Sequence, residues 1–284
     1  MIDVIREMLS YPFLVRALTV GLLVALCASL LGVSLVLKRF SMIGDGLSHV
    51  GFGALAIASV AGIAPLYLAI PVCIAASFLL LRMSESTRIK GDAAIAMLSA
   101  GALAIGVMVV SMTTGMNTDV YNYMFGSILS LSAADATLSI VLSGVVLVLF
   151  VLFYPRLFAV TFDESFSRAT GIPTRAYNAA LATLASVTVV LGMRMMGALL
   201  ISSLIIFPAL TSMRVCKNFK TVTICSAVVS VVCYFAGVVG SYVYATPTGA
   251  SVIIVNIAAF LLFWLWNFMK TSRKDRFGKK ENPS

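Results

Sequence analysis

Charge is the scarcest commodity in this 284-residue chain: Asp, Glu, Lys and Arg make up 11% of it, against 61% hydrophobic residues. Soluble domains carry roughly a quarter charged and about half apolar residues. A water-soluble fold is therefore excluded, and no stretch is left for a soluble domain. Histidine occurs once, at His49, which argues against a His-rich metalloenzyme centre. The five cysteines (Cys27, Cys73, Cys216, Cys225 and Cys233) are odd in number and show no CxxC spacing. They read as small reduced core residues. No GxxxxGK[ST] phosphate loop occurs anywhere in the chain. The N-terminal MIDVIREMLSYPF lacks a basic lead-in and a clear small-residue cleavage site, so it does not read as a removable signal peptide.

What fills the chain instead is a series of apolar runs long enough to cross a hydrocarbon core of ~30 Å, which takes about 20 helical residues. They fall at residues 14–37, 42–62, 64–82, 92–114, 133–154, 177–193, 196–214, 220–243 and 249–269. The runs are continuously apolar and lack the alternating period of a barrel strand, so they read as helices. The pairs 42–82 and 177–214 are divided only by short Gly or Pro breaks, which leaves eight or nine spans. The expected fold class is an all-α polytopic transmembrane bundle. Residues 1–284 form one membrane domain, with spans within 14–269 and a basic tail at 270–284.

Positive charge gives the orientation. Lys38 and Arg39, the cluster from Arg82 to Lys90, the segment from Arg156 to Arg175, Arg214 to Lys220, and the tail should face the cytoplasm. Between Lys90 and Arg156 there is no Lys or Arg, and the acidic, aromatic connection TGMNTDVYNYMFGSILSLSAAD should face outside. Nine spans satisfy these loops with the N-terminus outside and the C-terminus inside, and Arg194 is the one mild violation. The formal net charge of +9 does not indicate nucleic acid, because six of the 20 basic residues lie between Lys270 and Lys280 as a membrane anchor.

The longest charged interruption, PRLFAVTFDESFSRATGIPTR at 155–175, reads as a self-contained short helix. Asp163 and Glu164 precede it, Arg168 lies towards its end, Gly171 suits a left-handed cap and Pro173 stops continuation. Two roles stay open for it: a helix lying on membrane lipid through Phe158, Phe162 and Phe166, or a docking helix for a cytoplasmic partner.

One polar constellation enters the membrane. In SMIGDGLSHVGFGALAIA, Asp45 and His49 are spaced i, i+4 and share a helix face, with Ser41 one turn before and Gly53 one turn after. Gly44, Gly46, Gly51 and Gly53 keep that helix slim enough for a close approach by another helix or an ion. An intramembrane acid marks a functional site by default, and carboxylate with imidazole suits a divalent first-row metal. The bland alternative is that the two side chains pair with each other or cap the span near Lys38. One Asp and one His are too few for a tight site, whereas a two-fold dimer brings two of each. If the span starts at Met42, His49 lies about 10 Å in, short of the midplane. Other candidates read as structural: Met193, Met195 and Met196 as packing, Asp92 as an N-cap, and Pro71 and Pro208 as kinks.

Taken in order, KRFSMIGDGLSHVGFGALAIA, RIKGDAAIAML, FDESFSRATGIP and PTGASVIIV resemble the membrane permease subunit of bacterial ATP-binding-cassette importers for zinc, manganese or iron. The resemblance runs from about residue 14 to 269. It implies a homodimer in the bacterial cytoplasmic membrane, cytoplasmic ATP-binding subunits that hydrolyse the ATP, and an extracytoplasmic solute-binding protein that delivers the ion. It also implies that Asp45 and His49 line the metal path, and that Asp163, Glu164, Arg168, Ala169, Gly171 and Pro173 belong to a coupling loop docked on the ATPase. The chain itself is then no enzyme and holds no tight cofactor; Zn2+, Mn2+ or Fe2+ is its cargo. Gly46 departs from the Ala frequent in the family, which should loosen the helix there. The rival is an ion-coupled secondary transporter working alone, which would want more intramembrane acids. Metal binding needs a neutral imidazole, so uptake should weaken as pH falls into the histidine range.

Overall fold

The computed structural model describes residues 6–8, 10–84, 91–113, 126 and 132–278. Most of the acidic outer connection, the basic cluster after Ser84 and the end of the tail lie outside the described residues. Within them the chain is helical, with no strand. The elements are α1 (Pro12–Leu37), α2 (Ile43–Val60), α3 (Pro65–Ser84), α4 (Gly91–Ser111), α5 (Ala133–Phe162), the short α6 (Glu164–Ala169), α7 (Thr174–Met196), α8 (Ala198–Val215), α9 (Phe219–Tyr244) and α10 (Thr248–Gly278). Among the described residues nine helices are long and apolar enough to span a membrane.

The count settles at nine because both doubtful pairs are broken. Gly62 turns the chain between α2 and α3 at φ +67°, and Gly197 separates α7 from α8 at φ +87°, ψ 159°, a conformation essentially confined to glycine. One boundary differs from the sequence reading. Residues 155–162 are not part of the interruption but continue α5 through Pro155 to Phe162. Their side chains are apolar enough to extend the span, and a membrane helix tolerates the proline. Asp92 lies inside the first turn of α4 rather than at its cap, where a carboxylate still meets the positive end of the helix dipole.

α7 and α2 are the most enclosed helices, with 78% and 72% of their spanning stretches buried, and α10 the least, with 11%. α2 packs on α4, α3, α8 and α7; α1 lies against α8, α9, α5 and α7. Water-independent contacts hold these helices together, as expected where lipid gives no hydrophobic drive. Ser226 and Ser230 of α9 donate to the carbonyls of Ser29 and Ala25 on α1, at 3.2 and 2.9 Å. The buried methionines Met193, Met195 and Met196 fill the core as packing residues.

Three of the segments read as cytoplasmic, at Lys38, at Arg156–Arg175 and at Arg214–Lys220, share one end of the bundle. Lys38 meets Glu164 there, and Phe219 stacks among Tyr154, Phe158 and Phe162 at 5.1–5.9 Å. At the other end, Arg194, the exception to the charge pattern, is neutralised by Asp135 at 3.0 Å, with the two side chains only 17% and 19% exposed. Breaking a fully buried pair costs about 3–5 kcal/mol. For Arg194→Leu, where some water reaches the pair, we expect a loss of about 2 kcal/mol, read from thermal unfolding of the detergent-solubilised chain. Adding Asp135→Leu should recover most of it, and a double variant no better than the single would show that the pair is not what stabilises this end.

Candidate functional site

The site is built on the first two turns of α2. The chain leaves α1 through a turn with Arg39 in the left-handed region at φ +62°. It then re-enters helix at Ile43, so that Asp45 is the third and His49 the seventh residue of α2. At 1.5 Å per residue His49 sits roughly 9 Å from the helix start. Asp45 lies in the first turn, where the dipole favours a carboxylate. Ser41 stands in the turn before the helix and not on its face. The expectation that it adds a polar group one turn below Asp45 is therefore corrected.

The i, i+4 spacing brings Asp45 Oδ2 and His49 Nε2 to 3.8 Å. That is too long for a hydrogen bond, so neither group consumes the other's lone pairs. Two donors on one tetrahedral ion, each about 2.1 Å from it, stand about 3.4 Å apart. A rotation of a few tenths of an ångström suffices to bring both onto one ion. On the second most enclosed helix of the bundle these two side chains stay open, at 37% for Asp45 and 20% for His49. Among the described residues no third His, Cys, Asp or Glu joins them. One chain therefore supplies two donors.

The glycines around them serve helix packing. A Cβ on Gly44 would meet Ile205 of α8 at 2.7 Å, one on Gly51 would meet Met193 of α7 at 2.6 Å, and one on Gly53 would meet the carbonyl oxygen of Ala102 on α4 at 2.8 Å. Gly46 is occupied in the same way: Ile95 of α4 lies 2.7 Å from where its Cβ would be. The looseness expected from Gly46 is thus taken up by a neighbouring side chain.

The second group of residues forms α6. Asp163 caps it, its Oδ1 accepting from the Phe166 N–H at 2.8 Å, and the N–H groups of Gly171 and Ile172 close its far end on Arg168 and Ser167. Gly171 has φ +84°, the left-handed cap that favours glycine. Asp163, Arg168, Ala169, Gly171 and Pro173 are exposed, and Phe166 is 65% exposed. Glu164 is different. It turns inward to Lys38 Nζ at 3.2 Å and accepts from Asn178 at 3.2 Å, while its other oxygen meets Arg168 at 3.3 Å. Lys38 and Asn178 complete this cluster without having stood out in the sequence; Lys38 there marks only orientation.

Partial burial works against ionisation of Glu164, but the Asn178 hydrogen bond and the Lys38 and Arg168 charges outweigh it and hold its pKa below the ordinary 4.5. A depressed carboxylate stabilises the fold fully above its unfolded value and loses that contribution as pH falls through its folded value. Thermal unfolding should therefore fall more steeply below about pH 4.5 for the natural chain than for Glu164→Gln. Equal slopes would show that the cluster is not linked to folding.

A family model described as the ABC 3 transport family matches residues 10–267. The chain belongs to the ABC 3 transport family. Its relatives include the manganese transport system membrane protein MntC of Halalkalibacterium halodurans, 27% identical, the match covering 92% of this chain and 89% of that protein. A Haemophilus influenzae protein named "Probable iron transport system membrane protein" is 30% identical over 94% of each chain. The solved structure of PsaBC from Streptococcus pneumoniae in complex with Fab superposes with a TM-score of 0.83 at 25% identity, covering 93% of this chain and 95% of that one. The resemblance drawn from the motifs, to membrane permeases of metal importers, thus holds across nearly the whole chain. This member of the family is a multi-pass permease of the cytoplasmic membrane.

Proposed function

We propose that the chain is the membrane-spanning half of an ATP-driven importer of divalent first-row metal ions, working as a homodimer. Two copies would bring two Asp45 and two His49 side chains around a shared axis, which supplies the four donors of a tetrahedral site. The observation that carries this reading is the open Asp45/His49 pair on an otherwise enclosed helix. Carboxylate with imidazole accommodates zinc, manganese and ferrous iron alike, and relatives named for manganese and for iron stand at similar identity.

The mechanism is alternating access. ATP-driven closure of separate cytoplasmic ATPase subunits moves the segment from Asp163 to Pro173, tilts the two permease copies and turns the Asp45/His49 site from the outer to the inner side. A solute-binding protein outside the membrane supplies the ion. Family membership favours this reading over a secondary transporter working alone, which would move metal without ATP. Uptake of radioactive zinc, manganese and iron into vesicles carrying the permease, its ATPase and its binding protein tests it, with ATP present and withheld. Uptake that continues without ATP would overturn the ATP-driven reading.

A further inference from the structure

We propose that Lys38, held by Glu164 and Asn178, is the positioning residue that carries movement of α6 into α2, and so to Asp45 and His49. This rests on the reading of α6 as the ATPase-facing segment and of α2 as the metal helix.

Three segments meet at one ammonium group. Lys38 stands at the end of α1, Glu164 is the first residue of α6 and Asn178 lies in the second turn of α7. Lys38 Nζ donates to Glu164 Oε2 at 3.2 Å and to Asn178 Oδ1 at 2.7 Å, and Asn178 Nδ2 donates back to Glu164 Oε2 at 3.2 Å. The triangle is closed. The Lys38 side chain is only 8% exposed, and a charge this enclosed is held only where its partners hold it.

By contrast, the Glu164–Arg168 contact stays on α6, and Arg168 is 66% exposed. That contact stiffens the short helix and passes nothing onward. The Lys38 contact leaves α6 and reaches the root of α2.

From Lys38 onward there is little slack. The N–H groups of Lys38, Arg39 and Phe40 bond back to Ser34, Val36 and Leu35, that of Ile43 to Phe40, and that of Gly46 to Met42. Lys38, Phe40, Ile43 and Asn178 border one narrow crevice, which sets the ammonium, the turn and the first residue of α2 side by side. A shift of Glu164 pulls on Lys38, and the turn hands it to a helix whose third residue is Asp45.

The test measures metal uptake and ATP hydrolysis together, in vesicles carrying the permease with its ATPase and binding protein. Lys38→Met should keep ATP hydrolysis near the natural level while metal moved per ATP falls about 2- to 30-fold, the range for residues that couple two sites. Lys38→Arg keeps the charge and should keep the ratio. Lys38→Glu should fail like Lys38→Met, and Lys38→Glu with Glu164→Lys should recover most of the ratio, because the Asn178 amide can present either its oxygen or its nitrogen. An unchanged ratio in Lys38→Met, a parallel loss of hydrolysis and uptake, or a double variant no better than Lys38→Glu would overturn the inference. A natural complex that hydrolyses ATP but moves no metal would overturn the metal reading itself, and this inference with it.

Discussion

Asp45→Ala and His49→Ala, each introduced alone, are expected to abolish metal uptake by the assembled complex while leaving the permease folded. The separation of the two effects follows from exposure. Asp45 is 37% and His49 20% exposed, and their mutual distance is 3.8 Å, so truncating either breaks no hydrogen bond between them, and the packing given up is the larger at His49. Point substitutions centre near about 1 kcal/mol of lost stability, well short of the roughly 5–15 kcal/mol that holds a folded domain. On the proposed two-copy site the effect on the ion is large, because each substitution there removes two of four donors. Losing even an outer partner of a metal ligand costs about 10- to 100-fold in affinity, so uptake at low metal concentration should fall by more than about 100-fold. Asp45→Asn is the sharper probe. It keeps the shape and removes only the charge, and it should lose most of the uptake as well. Full uptake in both alanine variants, with normal assembly, would remove these residues from the metal path.

The largest expected loss of stability is at Gly32→Ala. A Cβ at Gly32 would lie 2.1 Å from the carbonyl oxygen and 2.9 Å from the carbonyl carbon of Ile205. Both are backbone atoms of α8, so no rotamer change relieves the overlap, and the two central helices must separate along their length. Overpacking in well-filled cores costs about 1–3 kcal/mol, and a clash with backbone belongs at the top of that range. Gly240→Ala is the control: nothing lies within 4 Å of its added Cβ. Thermal unfolding of the purified chain in detergent should show a clear drop for Gly32→Ala and almost none for Gly240→Ala. Similar melting of the two would mean that α1 and α8 do not depend on their close approach.

The helical membrane fold was legible because hydrocarbon imposes a length and a polarity on every span, and both are properties of local sequence. The i, i+4 placement of Asp45 and His49 was legible for the same reason: it needs only helical periodicity. Local too were the acidic start of the short helix at Asp163 and the left-handed Gly171. Where the reading missed, local pattern was misleading. Pro155 and Arg156 looked like the start of an interruption, yet the helix runs through them to Phe162, since membrane packing overrides a proline that would end a helix in water. Ser41 looked like part of the polar face, yet the helix begins two residues later.

The sequence by itself therefore determined the solvent, the spans and the placement of Asp45 and His49 one turn apart on one helix, because each depends on neighbours within a few turns. Only the tertiary structure decided which glycines touch which helices, that Arg194 is balanced by Asp135 some 59 positions earlier, and that Lys38 joins Glu164 across 126 positions. Those contacts depend on which helix ends are brought to the same side of the bundle and at what depth, and no periodicity within one span carries that information.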